Sequence, residues 1–176
     1  METESALRKE NSAEYLLYMF QMEDLARAFN LDGELMARKC LGENAPKEDC
    51  QRLEEICQMM RQEGLQAKGH LQVNKNILLD LEDVHALIMG SGRYPDYANA
   101  FFHARGPVEE LQMKAGAYRK DFLETCFEAL YGELLLKMSH RSTSEGTQEG
   151  LDAIRAFIGR LAAYYKRYKE EELELD

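Results

Sequence analysis

Leu151, Ile154, Ile158, Leu161, Tyr165 and Tyr168 recur at alternating spacings of three and four residues. At 3.6 residues per turn they form one stripe along a helix. The segment from Glu145 to Glu170 therefore reads as an amphipathic helix that must bury this stripe against other helices. Plain core packing is the first reading of the stripe, and a dimer seam is the second. Gly159 lies beside it and leaves room for close helix approach.

Nothing elsewhere in the chain competes with helix. Leu, Ala, Glu, Met, Lys and Arg dominate, only three prolines occur, and no alternating run is bounded by hairpin signals. Turn residues divide the chain. A first helix runs from Ser5 to Phe29 and ends at Asn30-Leu31-Asp32-Gly33. A short second helix covers Glu34 to Leu41, and Gly42 stops it. Asn44 caps a third, with Pro46 in its first turn and Gly64 at its end. The fourth spans His70 to Met89 and is followed by the breaker-rich loop GSGRYPD. A fifth starts at Asp96 and should kink or break at Gly106-Pro107. The sixth covers Arg119 to Ser139. The polar linker RSTSEGTQEG leads to the seventh, with Ser142 or Ser144 as its cap.

The first and sixth helices show no clean polar face, so both look central. The expected fold is all-α: a compact single-domain helical bundle of about six or seven helices, mostly antiparallel, over residues 1–176. Residues 1–4 and the acidic tail 171–176 are expected to fray.

A formal net charge of −10 repels phosphate backbones and anionic lipid, so neither nucleic acid nor membrane is an expected partner. The polar start METESALRKENSAEY lacks an apolar signal core, and no apolar run approaches the length of a membrane span. A cytoplasmic location is expected. Cys40, Cys50, Cys57 and Cys126 form no CxxC pair. Cys50 and Cys57, seven apart on a helix, would stand about 10 Å apart, beyond disulfide reach. All four read as reduced thiols.

The fourth helix carries the densest polar chemistry, in GHLQVNKNILLDLEDVH. Projected at 100° per residue, Val73, Ile77, Leu81, Val84, Leu87 and Ile88 form an apolar arc. Gln72, Lys75, Asn76 and Asp83 fall on the wet face. His70, Asn74 and His85 lie on the core side, with Asp80 at the margin. Glu82 and His85 make one ExxH, but a di-iron bundle needs a second copy and further glutamates, which the chain lacks. His70 and His85 are too far apart on one helix to share an ion.

On the first helix, Glu23 and Asp24 stand within reach of Arg27, and Glu14 belongs to a second polar strip. Glu133, one turn before Lys137, reads as a surface ion pair. No GxSxG, Walker-type GxxxxGK, GxGxxG or HExxH is present. The candidate buried polar cluster is therefore Glu14, Asp24, Arg27, His70, Asn74, Asp80 and His85. No catalytic, cofactor or metal assignment is made for it.

Three segments, KENSAEYLLYMFQMEDLARA, MMRQEGLQAKGHLQVNKNILLDLEDVH and ETCFEALYGELLLKM, resemble in order a family of similar length, typical of Bacteroidetes and catalogued as domain of unknown function number 4924. The resemblance covers nearly the whole chain. It implies a bacterial cytoplasmic protein, and it carries over no activity, cofactor or catalytic residue.

These readings converge on a non-enzymatic binding or protein-interaction module. Its expected partner is another protein, or itself as a homodimer. The alternative is a small-molecule-binding or enzymatic bundle with a polar pocket among the first, fourth and sixth helices.

Overall fold

The computed structural model describes residues 2–176. Among them are eight α-helices and no strand: α1 (Glu2–Glu10), α2 (Ser12–Ala28), α3 (Gly33–Cys40), α4 (Lys47–Gln62), α5 (Gln72–Ser91), α6 (Pro95–Ala115), α7 (Phe122–Met138) and α8 (Glu145–Lys169). A 3-10 turn, Gly116–Tyr118, follows α6. The chain is all-α. The helix count exceeds the expected six or seven because the single helix anticipated from Ser5 to Phe29 breaks at Asn11. The sequence Asn11-Ser-Ala-Glu14 has the spacing of a capping box, in which asparagine favours a helix start over a helix interior.

The helices fall into two compact units. The first comprises Met1–Lys9 and Glu14–Ile77; the second comprises Glu10–Ala13 and Leu78–Asp176. Of the terminus expected to fray, Met1 lies outside the described residues, and Glu2 onward belongs to α1. At the other end α8 stops at Lys169, and residues 172–176 adopt no regular structure. The Glu174 backbone is nevertheless bonded at both its N–H and its carbonyl to the Tyr94 hydroxyl, and its carboxylate meets Arg93.

In the first unit α3 packs on α4. The approach is close because Gly33 has no side chain: a Cβ there would stand 2.5 Å from the Glu54 Cα. The turn leading into α3 puts Asn30 and Leu31 at φ 54° and 59°. That conformation is uncommon for leucine. Leu31 is buried, its N–H bonds the Ala26 carbonyl, and its own carbonyl accepts from Arg61. Asp32 caps α3 through the Leu35 N–H.

In the second unit α6, α7 and α8 pack pairwise. The stripe on α8 buries Leu151, Ile154, Ile158 and Leu161, and Phe157, Ala162 and Tyr164 join them. Tyr165 is half-buried and Tyr168 exposed. Pro107 does not break α6, which continues to Ala115. Proline costs the helix one N–H bond and crowds the preceding turn, but burial of Ala104 and Val108 on either side holds the helix together. The expected close approach at Gly159 is not found, since a Cβ there meets nothing within 4 Å. Gly150 takes that role instead, its Cβ position lying 3.3 Å from Pro107 Cβ.

Candidate functional site

A buried carboxylate organises the first unit. Glu23, on α2, is 0% exposed. Its Oε1 accepts the Leu71 N–H at 3.0 Å and the Asn74 amide at 2.7 Å, while Oε2 lies 2.6 Å from His70 Nδ1. The first N–H groups of any helix lack internal partners, and the helix dipole favours negative charge there. Glu23 supplies that charge to the start of α5, and Glu63 accepts the next N–H, from Gln72. The His70 ring stacks on Phe20 with centroids 3.8 Å apart. Arg27 bonds the Leu65 and Gly69 carbonyls and pairs with Asp24 at 2.7 Å. The α4–α5 loop is thus tied to α2 at both ends. Asn74 Oδ1 is buried without a hydrogen-bond partner.

His85 belongs to the second unit. Its Nδ1 lies 2.6 Å from the Tyr97 hydroxyl, and its ring meets Phe101 and Phe157. Burial pushes the imidazole below its ordinary pKa and the Tyr97 phenol far above its own. The folded protein therefore binds a proton at His85 less readily than the unfolded chain does. The stability this site contributes is full above about pH 6.5, the unfolded value, and drains as pH falls below it. In urea titrations between about pH 8 and about pH 5, the wild type should lose stability more steeply than His85→Gln. Parallel curves would refute this.

Glu133 departs from the expected surface pair. It is 6% exposed and holds three partners: Lys137 at 3.0 Å, Gln148 at 3.1 Å, and Arg155. Burial works against its charge, but the bonds from Gln148, Arg155 and Lys137 outweigh it and keep the carboxyl below its ordinary value. Burial raises the Cys57 and Cys126 thiols, the reverse of nucleophile activation. All four cysteines are free.

The candidate residues do not gather into one site. Asn74 and His70 meet at Glu23, and Arg27 clamps the neighbouring loop. Glu14, Asp24 and Asp80 are exposed, which corrects their expected burial. Glu14 sits in the first turn of α2, Asp24 turns outward beside Arg27, and Asp80 lies on the wet side of α5. His85 stands fifteen residues beyond His70 in the chain and belongs to the other unit. Val73 and Leu87 leave the apolar arc for solvent. Among the described residues no three His, Cys, Asp or Glu side chains converge to hold a metal ion, and no helix is long and apolar enough to cross a membrane.

A sizeable opening in the second unit contains none of the candidates. A groove of about 960 Å³ runs between α6, α7 and α8. Pro107, Leu111, Leu136, Leu151 and Ile154 make it apolar, and Gly106, Gly132 and Gly146 also line it. A Cβ on any of these three glycines would meet nothing within 4 Å. A smaller hollow of about 250 Å³ shares Leu111, Glu128 and Ala129 with the groove and reaches Tyr118. Sequence reasoning passed over this region because its glycines lie on separate helices. The available signal was the cost of glycine inside a helix, about 1 kcal/mol each, carried on α6, α7 and α8 alike.

A family model described as a domain of unknown function, DUF4924, matches residues 1–172. No curated protein and no solved structure matches the chain.

Proposed function

We propose that this chain, which belongs to the DUF4924 family, is a non-enzymatic binding module that docks a segment of a partner protein in the groove between α6, α7 and α8. The groove carries this reading. It is open to solvent, long and apolar at its floor, the form in which helix-in-groove recognition buries side chains spaced along one helix face. The surface beside it has interface chemistry: Tyr118 is 87% exposed and Met113 77%. Exposed aromatic and methionine side chains of this kind favour association. The strongest polar clusters, meanwhile, hold the fold together. Glu23 caps α5, His85 bonds Tyr97, and Glu133 ties α7 to α8.

Photo-crosslinking tests the proposal. Benzoylphenylalanine at Gly106, where an added side chain enters open space, should give a discrete adduct with one polypeptide in cells making the protein at native level. The same residue at Ala163, on the exposed side of α8, should not. Equal yields at both positions, or no adduct from Gly106, overturn the docking reading.

A further inference from the structure

We infer that Arg93, Tyr94 and Arg167 form a site for acidic, extended polypeptide, and that residues 172–176 are a strap that closes it from within the same chain. The inference does not rest on the groove. It starts from a segment whose composition gives it no reason to be fixed. Residues 172–176 are acidic and adopt no regular structure, yet they are held. Leu173 and Leu175 are half-buried, while Glu172, Glu174 and Asp176 are exposed. That period of two belongs to an extended chain lying along a surface.

The site reads both main chain and charge. The Tyr94 hydroxyl accepts the Glu174 N–H at 3.0 Å and donates to the Glu174 carbonyl at 3.2 Å. One hydroxyl can do both, and neither bond depends on the side chain at that position. Arg93 adds the preference for acid, with Nη1 3.0 Å from the Glu174 carboxylate. Arg167 lies over the Tyr94 and Tyr164 rings, which meet edge to face at 5.1 Å. Asp96, the acidic group beside them, is taken up by Arg160 and the Tyr164 hydroxyl. Tyrosine and arginine are the residues that most often carry binding energy at interfaces.

The occupant is held loosely. Its ion pair is exposed, and exposed pairs contribute little. The turn that leads into it places Glu171 at φ 58°, a left-handed position that glycine usually fills at a helix end. Tethering keeps the site filled, because a short linker gives an effective concentration of about millimolar. A partner segment with the same alternation and further contacts displaces the strap.

Nuclear magnetic resonance on the isotope-labelled full chain tests this. The Glu174 amide should exchange at least about tenfold more slowly than an unstructured amide. Tyr94→Phe should abolish that protection and leave the helix signal in circular dichroism unchanged. An unlabelled peptide copying residues 170–176 is then titrated in. Glu174→Pro removes the N–H and the carboxylate at a position outside every helix, so it opens the site without touching the fold. This variant should bind the peptide at least about fivefold more tightly than wild type, which must first release its own tail. The shifts should centre on Arg93, Tyr94 and Arg167, and adding Arg93→Glu should abolish them. A peptide with lysine at each acidic position should not bind. An unprotected Glu174 amide in the wild type, or equal peptide affinity in wild type and Glu174→Pro, overturns the strap. No binding by Glu174→Pro, or equal binding of the lysine peptide, overturns the acidic-segment site.

Discussion

Glu23→Ala should destabilise the protein by about 3 to 5 kcal/mol, because it strips two buried donors of their acceptor at about 1 to 3 kcal/mol each. The carboxylate serves three donors, and two belong to residues with almost no solvent access: Leu71 at 0% and Asn74 at 1%. Alanine leaves the Leu71 N–H and the Asn74 amide buried without an acceptor, and each such group costs about 1 to 3 kcal/mol. His70, partly exposed, can turn to water. Glu23→Gln keeps the volume and one acceptor oxygen, so its loss should be smaller, about 1 to 3 kcal/mol. Typical domains are stable by only about 5 to 15 kcal/mol, so the alanine variant should be plainly weakened. Urea denaturation gives the loss, and amide exchange at Leu71, just before α5, should speed up before that of the helix does. An alanine variant within about 1 kcal/mol of wild type would show that Glu23 is not the organising group.

How far could a reader of the sequence have reached this residue? The all-α fold was legible, because helix periodicity is a local property. The stripe on α8 is read from neighbours three and four apart, and Leu151, Ile154, Ile158 and Leu161 are buried as that spacing requires. Glu23 was not legible as a centre. It looks like a surface carboxylate one turn from Arg27, and nothing nearby shows that its donors lie 47 to 51 residues away. Asn74 was placed correctly on the core side of its helix, but its partner could not be read. Val73 was misplaced by the same projection, since a periodic average cannot know that Glu23 makes an asparagine worth burying while the adjacent valine faces water. Glu133 failed for a related reason: Lys137 is a local partner and Arg155, on α8, is not. Grooves are harder still. Gly106, Gly132 and Gly146 read singly as weak points in helices, and they define a shape only once three helices meet.

Phe157→Ala should cost about 3 to 5 kcal/mol, the range for deleting a fully buried aromatic side chain. Phe157 lies at the centre of the second unit with no solvent exposure. Its ring faces four others: His85 at 5.6 Å, Tyr97 at 5.7 Å, Phe101 at 5.6 Å and Phe122 at 5.9 Å between centroids. Several of these contacts are edge-to-face, the arrangement the ring quadrupoles favour. Alanine removes the hub and leaves a space that α5, α6, α7 and α8 border together, so no single side chain can relax to fill it. The cost has two parts, lost transfer energy and an unfilled cavity, and a leucine should restore some of each. Phe157→Leu is therefore expected to lose less than half as much as alanine. The near-ultraviolet circular dichroism of the ring cluster should fall in the alanine variant while the far-ultraviolet helix signal persists. If alanine and leucine cost the same, filled volume is not what the site requires. The ring contacts themselves, including the His85–Tyr97 pair they enclose, would then be the stabilising feature.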